Sequence, residues 1–244
     1  MNSRLPFFGR GGVVVKWLDF KINLFDTKLD LLNIWMKKSS KKIIKPKQEY
    51  ENFLREKGFK IVCGLDEVGR GSWAGPLVAG AVILNRRLYG LRDSKLLNSK
   101  RREKLARKIR KTSRFGIGEV NVAELNKLKL TKGTHLAFNR AIKALGVKPD
   151  FTLIDGSLSL YPERARASRT GCRAIKKGDM ICSSIAAASI VAKVYRDKLM
   201  RQLDKEVKGY NFSSHKGYGT KEHQEKLKKL GPSKAHRMFY KSLK

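Results

Sequence analysis

The chain carries Gly64-Leu65-Asp66-Glu67-Val68-Gly69-Arg70-Gly71 at the end of an apolar run that begins at Ile61. The two adjacent acids are unusual because the 244 residues include 55 Lys and Arg against 21 Asp and Glu, a formal net charge of +34. Such a charge predicts salt-dependent binding to nucleic acid or to an anionic membrane. A protein that binds a polyanion would keep carboxylates away from it unless a divalent metal stood between them and phosphate. The pair therefore predicts a metal site.

Composition excludes several other classes of protein. Cys63, Cys172 and Cys182 form no C-x-x-C motif and are too few for a disulfide framework, which is typical of reduced thiols in a cytoplasmic protein. The apolar window 12–35 is repeatedly interrupted by Lys and Asp, so it predicts no transmembrane helix. No apolar segment ends at a signal cleavage site. We expect a cytoplasmic protein, monomeric and without a membrane partner.

The charge pattern divides the chain into three parts. Residues 1–49 form a basic extension with a like-charged, linker-type segment. Within it, Met36 is followed by two lysines and is an alternative start to Met1, a hypothesis that an intact-mass measurement tests. Residues 50–208 form the core domain. Residues 209–244 form a helical, basic C-terminal part that we expect to contact nucleic acid.

Hydrophobic periodicity predicts an α/β fold. Apolar runs predict strands, and stripes at helical spacing predict the helices between them, so the fold class is a mixed sheet of about five strands flanked by helices. Asn98 or Ser99 is expected to cap the second helix. The predicted strands are 61–66, 77–84, 115–120, 151–155 and 172–175, and the predicted helices begin near 48, 99, 125 and 183, with a short one ending at Gly231.

Acids recur at the predicted ends of these elements. Asp66 ends the first strand, Asp155 ends the fourth, and Asp179 directly precedes the long helix. Converging carboxylates bind hard cations such as Mg²⁺ or Mn²⁺. Adjacent strand residues point to opposite faces, so Asp66 and Glu67 share a site only if the strand turns there. The alternative, that an Asp before glycine is merely a turn former, stays open for Asp155.

The remaining motifs resemble those of one family. The opening stretch with Ala74-Gly75-Pro76 resembles the first motif of ribonuclease HII, a type 2 ribonuclease H, and further motifs follow in that family's order between Tyr50 and Phe239. The match departs at Ser72-Trp73, where the family more often has Pro-Leu, which makes the loop bulkier. The further motifs are Asp93-Ser94-Lys95, Ile154-Asp155-Gly156, Lys177-Gly178-Asp179, Ala187-Ala188-Ser189-Ile190-Val191-Ala192-Lys193, Arg196-Asp197, His215-Lys216-Gly217-Tyr218-Gly219-Thr220 and His236-Arg237.

The resemblance implies a ribonuclease H-like catalytic core and a site that holds two Mg²⁺ or Mn²⁺ ions. Carried over by motif, the catalytic and metal-binding acids are Asp66, Glu67, Asp155 and Asp179. Asp197 also lies in a shared motif and is the alternative for the last position. We expect Asp197 instead on the flank of the long helix, held by an arginine.

The resemblance also implies how substrate is bound. Gly69, Arg70 and Gly71 match the element that reads the ribose 2′-hydroxyl at an RNA–DNA junction, with a simple phosphate contact as the alternative for Arg70. Tyr218 matches a tyrosine that packs on the next deoxyribose, with a core aromatic as its alternative. The candidates for contacts with the duplex are Ser94, Lys95, Lys100, Arg101, Arg102, Lys193 and Lys216.

Three late histidines are a separate question. His215, His223 and His236 have no cysteine near them in sequence, so structural hydrogen bonds or phosphate contacts are favoured over a zinc site.

The activity implied is that of an endoribonuclease. It would cleave the RNA strand of RNA–DNA hybrids and incise 5′ of single ribonucleotides in duplex DNA, leaving 5′-phosphate and 3′-hydroxyl ends, as in ribonucleotide excision repair. One alternative is a binding protein that kept the fold without the chemistry. Another is ribonuclease HIII-like specificity, with poor action at single ribonucleotides. A sliding clamp is a conceivable partner that no docking peptide in the sequence supports.

Overall fold

Strands and helices alternate along the chain as the hydrophobic pattern predicts. The computed structural model describes residues 46–91, 94–157, 171–240 and 243. Residues 1–45 of the predicted extension (1–49), which include Met36, lie outside the described residues, as does the motif residue Asp93. The three-part division of the chain stays a prediction. In chain order, the elements are α1 (Glu49–Glu56), β1 (Val62–Val68), β2 (Leu77–Ile83), a 3₁₀ turn (Ser94–Leu96), α2 (Ser99–Thr112), β3 (Arg114–Val120), α3 (Val122–Lys143), β4 (Phe151–Asp155), β5 (Gly171–Ile175), α4 (Gly178–Ile181), α5 (Ser183–Glu206), α6 (Phe212–His215) and α7 (Lys221–Leu230).

The five strands form one mixed sheet in the order β3-β2-β1-β4-β5. β1 pairs antiparallel with β2 and parallel with β4, so it is the strand at which the sheet changes from antiparallel to parallel. Leu65 is paired with Ile154, and one step further along the same register Asp66 lies level with Asp155. The predicted mixed five-stranded sheet is therefore confirmed.

Helix α5 lies unusually close to β1 and β2. A Cβ atom on Gly64 would lie 2.2 Å from the backbone carbon of Ser184, and one on Gly80 would lie 2.4 Å from the carbonyl oxygen of Ala188. Neither position can carry a side chain, because such contacts are sterically forbidden. The close approach brings α5 against the face of β1 that carries Asp66.

Helix α3 covers the opposite face of the sheet. Leu65, Leu77 and Phe138 are fully buried there in one apolar cluster. Burial of each such side chain stabilises the fold by about 1.5–3 kcal/mol. A side chain of Asn98 accepts a hydrogen bond from the Arg101 amide at 2.9 Å, which caps α2 at one of the two residues predicted.

One prediction about the strands is wrong. Asp66 does not end β1, because β1 continues to Val68 and pairs with β2 along this whole segment. Only its pairing with β4 stops at Leu65. The antiparallel neighbour therefore carries β1 beyond the point at which the shorter β4 ends. Within the described ranges, no helix is both long enough and apolar enough to cross a membrane.

Candidate metal centre and substrate loop

Asp66 and Asp155 lie side by side on β1 and β4, where the parallel pairing ends. Asp66 is only 6% exposed, and its Oδ1 atom accepts a hydrogen bond from the Glu67 amide at 2.7 Å. Burial raises the pKa of Asp66 well above its usual range, and the charges of Glu67, Asp155 and Asp179 raise it further. The direction and causes of this shift place all four predicted acids within electrostatic reach of one another.

Glu67 lies within electrostatic reach of Asp66 and Asp155, although β1 continues as a regular strand to Val68. Burial raises its pKa to about 7, the Arg70 charge opposes the rise, and the Asp155 charge adds to it. Its Oε2 atom is buried and makes no hydrogen bond to any described residue. A buried carboxylate oxygen without a partner is costly unless a cation binds it.

Asp155 and Asp179 are joined by the start of α4. The Gly178 amide donates to Asp155 Oδ1 at 2.6 Å, and this contact partly offsets the rise that burial causes in the pKa of Asp155. Asp179 follows within the same short helix and is 8% exposed. We call these four residues the acid cluster (Asp66, Glu67, Asp155, Asp179).

The acid cluster offers only carboxylate oxygens, the ligands that Mg²⁺ and Mn²⁺ prefer. In the part of the chain that the structure describes, no three acidic, histidine or cysteine side chains already converge as ligands of a single ion. Mutual repulsion is a sufficient physical reason, since Asp66 and Asp155 each turn one oxygen toward a backbone amide instead. The chemistry of the donor set and the unpartnered Glu67 oxygen fit divalent cations.

A serine that the sequence analysis did not single out joins this site. Ser189 of α5 is 3% exposed, and its hydrogen bond to Asp66 lowers the pKa of that acid. Its Oγ atom also lies 2.9 Å from the Oγ atom of Ser94, which was predicted to contact substrate. Lys95 follows and is exposed, and its charge lowers the pKa of both Glu67 and Asp155. The predicted Ser94-Lys95 pair therefore borders the acid cluster.

The loop that follows β1 is held by contacts with Arg196 and Tyr240 on its protein-facing side. We call residues 69–76 the substrate loop. Gly69 has φ 89°, and a Cβ atom there would lie 2.0 Å from Arg196 Nε, so only glycine fits. Arg70 is half-buried, and its carbonyl accepts from the Tyr240 hydroxyl at 2.6 Å. Gly71 is exposed, and the space that its Cβ atom would occupy is open. The predicted ribose-reading residues therefore run from the buried Gly69 through the half-buried Arg70 to the exposed Gly71, directly after the end of β1.

Tyr218 and Lys216 border the substrate loop. Tyr218 is 37% exposed, and the centre of its ring lies 5.7 Å from the Arg196 guanidinium. Its exposure agrees better with a surface for substrate than with a core aromatic. The Lys216 ammonium donates to the Ser213 carbonyl, and burial lowers the pKa of Lys216. One hydrogen bond of the Lys216 ammonium is therefore made within the protein, to Ser213.

The unusual Ser72-Trp73 pair is accommodated by the C-terminal segment. Ser72 is fully buried, and the Trp73 amide donates to the Gly217 carbonyl at 2.8 Å. The Trp73 ring occupies the space that a side chain at Gly219 would need and lies 5.8 Å from the His223 ring. The loop is therefore bulkier, as predicted, and the absence of a side chain at Gly219 leaves room for the Trp73 ring.

Asp197 is paired with two cations. Its carboxylate contacts Lys193 Nζ at 2.6 Å and Arg102 Nη1 at 3.2 Å, which agrees with the predicted arginine contact on the flank of the long helix. Lys193 and Arg102, both predicted to contact the duplex, are thereby held within the protein. Lys100 and Arg101 on α2 stay solvent-accessible and carry the predicted positive charge outward.

The three late histidines make hydrogen bonds, one of the two roles predicted for them. His236 Nδ1 accepts from the Ser233 amide at 2.9 Å, so its proton lies on Nε2 and points to His223 Nε2 at 3.0 Å. His223 Nδ1 then donates to the Tyr218 carbonyl at 3.0 Å. The network requires both rings to be neutral, and it links Ser233 to the backbone of Tyr218.

Comparisons with known proteins identify the family of the chain. The family model described as ribonuclease HII matches residues 63–243. A ribonuclease HII of Cereibacter sphaeroides is 44% identical over 198 residues, which cover 80% of this chain and 91% of the relative. A ribonuclease HII of Thermus thermophilus is 46% identical over 178 residues, or 72% and 84% of the two chains.

A solved structure shares the fold. The RNase HII of the PCNA:RNase HII complex from Archaeoglobus fulgidus superposes with a TM-score of 0.64 at 28% identity, covering 74% of this chain and 95% of that chain. The sheet and its flanking helices are therefore ribonuclease H-like. By its sequence, its fold and the order of its motifs, the chain belongs to the ribonuclease HII family of ribonuclease H endonucleases.

Proposed function

We propose that this endonuclease hydrolyses the RNA strand of RNA–DNA hybrids and incises 5′ of single ribonucleotides embedded in duplex DNA. The observation that carries the proposal is the position of the acid cluster. Asp66 and Asp155 lie level on adjacent strands, and β1 leads from Asp66 and Glu67 directly into the Gly69–Gly71 turn, which reaches the surface at Gly71. Chemistry and recognition of the sugar would thus occur within a few residues of one strand.

Asp66, Glu67, Asp155 and Asp179 would hold two Mg²⁺ or Mn²⁺ ions. Such a pair of ions activates the attacking water and stabilises the departing 3′-oxygen, leaving 5′-phosphate and 3′-hydroxyl ends. The protein residues fix the positions of the carboxylates: the Gly178 amide orients Asp155, and the Ser189 hydroxyl holds Asp66. Lys95, exposed beside the cluster, would attract the scissile phosphate.

Recognition would depend on the substrate loop and the basic surface. The 2′-hydroxyl is the local group that distinguishes RNA from DNA, and backbone amides at glycine can approach it closely. Arg70 and Tyr218 would contact the backbone and the following deoxyribose, and exposed cations such as Lys100 and Arg101 would bind the duplex. Substrate affinity should therefore fall steeply with salt.

Partners and location follow from the same reasoning. The basic surface and the reduced thiols favour a monomer that acts on cytoplasmic nucleic acid, in ribonucleotide excision repair. A sliding clamp is a second candidate partner because the Archaeoglobus fulgidus relative was solved as a PCNA complex. Clamp binding would be tested with purified clamp and the full-length chain.

The decisive assay uses two labelled substrates and both metals. One is duplex DNA with a single ribonucleotide, and the other is a continuous RNA–DNA hybrid. Cleavage of both with Mg²⁺ or Mn²⁺ is expected. Cleavage of the hybrid alone would instead indicate ribonuclease HIII-like specificity, and cleavage of neither would indicate a binding protein without catalysis. End analysis of the products tests the 5′-phosphate and 3′-hydroxyl assignment.

A further inference from the structure

Two arginines are buried without an acidic partner. Arg196 and Arg237 have the largest fully buried side chains among the described residues. Neither guanidinium has a carboxylate within 4 Å in the described ranges, although such burial normally requires a charge partner. We call these residues the arginine pair. Their burial is explained by hydrogen bonds to backbone carbonyl oxygens, which take the place of an acidic partner.

Arg237 binds the carbonyl oxygens at both ends of the substrate loop. Its Nη1 atom donates to Gly69 at 2.7 Å and to Arg70 at 3.2 Å. Its Nε atom donates to Gly75 at 2.9 Å, and its Nη2 atom donates to Pro76 at 3.0 Å. A rigid, planar guanidinium can span four carbonyls in this way, whereas the single ammonium of lysine cannot.

Arg196 binds the same loop from helix α5. Its Nε atom donates to Pro76 at 2.9 Å, its Nη2 atom to Ala74 at 3.2 Å, and its Nη1 atom to Lys216 at 3.0 Å. The arginine pair thus joins the loop to the long helix and to the C-terminal segment that carries Tyr218. The guanidinium charges are spread over peptide dipoles, so a rotation of these peptides would break the hydrogen bonds to arginine.

The carbonyl contacts fix the direction of the amides. In a trans peptide, the N–H bond points away from the C=O bond of the same plane. Because Arg237 binds the Gly69 and Arg70 carbonyls from inside, the amides of Arg70 and Gly71 must point outward. Neither amide donates to another protein group in the described part of the chain. Open space lies beside Gly71.

We propose that Arg196 and Arg237 are positioning residues, which orient the Arg70 and Gly71 amides as donors to the ribose 2′-hydroxyl of the substrate. This inference rests on the proposed cleavage at ribonucleotides and adds the residues that make the loop selective. The arginine pair does not touch substrate. It acts by holding the peptide planes that do.

The test separates positioning from simple support of the fold. Arg237→Lys keeps the charge but loses most contacts. Tyr240→Phe removes only a hydroxyl, which binds the Arg70 carbonyl and also contacts Arg237, so we expect the fold to stay intact. Arg201→Lys, an exposed arginine on the same helix as Arg196, is the matched control. Binding to duplex DNA with and without one ribonucleotide is measured in Ca²⁺ for each variant and the wild type.

We expect the preference for the ribonucleotide duplex to fall about tenfold in Arg237→Lys and about threefold in Tyr240→Phe, with little change in affinity for all-DNA duplex. Arg201→Lys should keep the wild-type ratio. Equal weakening on both duplexes would overturn the proposal, because a purely structural residue lowers both affinities together.

A second measurement tests whether the arginine pair holds the substrate loop, and it does so independently of the proposed function. Hydrogen exchange of peptides that cover residues 69–76 should be faster in Arg237→Lys than in wild type, with α3 unchanged. If the wild type shows no ribonucleotide preference, the proposed function is wrong, while faster loop exchange would still support the positioning role. Unchanged loop exchange would refute that role whatever the binding data show.

Discussion

The acid cluster and the arginine pair are two groups of buried charge, and β1 with its loop connects them. In the acid cluster, the charges of Glu67, Asp155 and Asp179 raise the pKa of Asp66, the charge of Asp155 raises the pKa of Glu67, and an oxygen of Glu67 has no hydrogen-bond partner among the described residues. In the arginine pair, the guanidinium groups donate to backbone carbonyls of the substrate loop and of Lys216. The arginine pair is therefore satisfied within the protein, whereas the acid cluster leaves a carboxylate oxygen for a ligand.

This difference matches the roles proposed for the two regions, which are chemistry for the acid cluster and support of the loop for the arginine pair. Repulsion among buried carboxylates destabilises the protein alone and is relieved when a cation binds. Hydrogen bonds from arginine to carbonyls stabilise the protein at all times and need no ligand. A mutation in the first group should affect catalysis far more than folding, and a mutation in the second should affect folding and selectivity.

The largest effect is expected for Asp66→Asn. The variant keeps the shape and the acceptor for the Glu67 amide but loses the negative charge that we propose binds metal. We expect cleavage of the ribonucleotide duplex to fall about 10³-fold or more, because metal stabilisation of the transition state contributes several kcal/mol. Single-turnover cleavage measures it, with Asp204→Asn on α5 as the control. Wild-type activity in Asp66→Asn would refute the assignment of the metal centre.

The next effect is expected for Arg237→Met in folding. Removal of the guanidinium leaves buried loop carbonyls without donors, so the free energy of unfolding should fall by about 3 kcal/mol. Urea denaturation measures the change. The exposed Arg201, which lies 3.9 Å from Glu103, is the control, and Arg201→Met should cost less than about 1 kcal/mol. Equal losses in both variants would contradict the contrast between buried and surface arginines.

Local sequence patterns predicted much of this architecture. Apolar runs and helical stripes located the strands and helices, and the acids at the predicted ends of these elements, together with the family resemblance, located the acid cluster. The predicted end of β1 was wrong because β1 continues along β2 beyond the point at which its pairing with β4 stops. Such pairing between strands cannot be predicted from the sequence of β1 alone. Ser189 was missed because its role depends on Asp66, which is distant in sequence.

Burial of particular charges could not be predicted in the same way. With 55 Lys and Arg in the chain, composition does not indicate which two lie in the core. The partners of Arg237 are carbonyls about 160 residues earlier, and every residue has a carbonyl, so no side-chain pattern identifies them. The available signal was the position of Arg196 and Arg237 within two motifs shared with the family, Arg196-Asp197 and His236-Arg237.

Acidification should affect the His223–His236 network and the acid cluster in opposite directions. Burial and the charge of His223 lower the pKa of His236 to about 4, below about 6.5 for an unfolded histidine. Between these values the unfolded state binds more protons, so stability is complete above pH 6.5 and declines as the pH falls toward 4. The contribution lost at pH 5 is about 2 kcal/mol. Carboxylates with raised pKa values act oppositely, because their protonation relieves repulsion.

A comparison of wild type with His236→Asn isolates the histidine contribution. The free energy of unfolding is measured by urea titration at pH 7.5 and pH 5. The difference between the two proteins should shrink on acidification, since only the wild type loses the neutral His223–His236 hydrogen bond. An identical pH dependence in both proteins would show that this network is not the acid-sensitive part of the C-terminal segment.

The smallest effect is also the sharpest test of the contrast between the two charge groups. In buffer with a chelator at pH 8, Asp66→Asn should be more stable than wild type by about 1 kcal/mol, since the substitution removes one of four mutually repelling charges. Added Mn²⁺ should raise the melting temperature of the wild type and leave that of Asp66→Asn nearly unchanged. Asp204→Asn, outside the acid cluster, should respond to Mn²⁺ as the wild type does. If Asp66→Asn were instead less stable without metal, the acid cluster would be satisfied within the protein, as the arginine pair is, and the contrast between the two regions would fail.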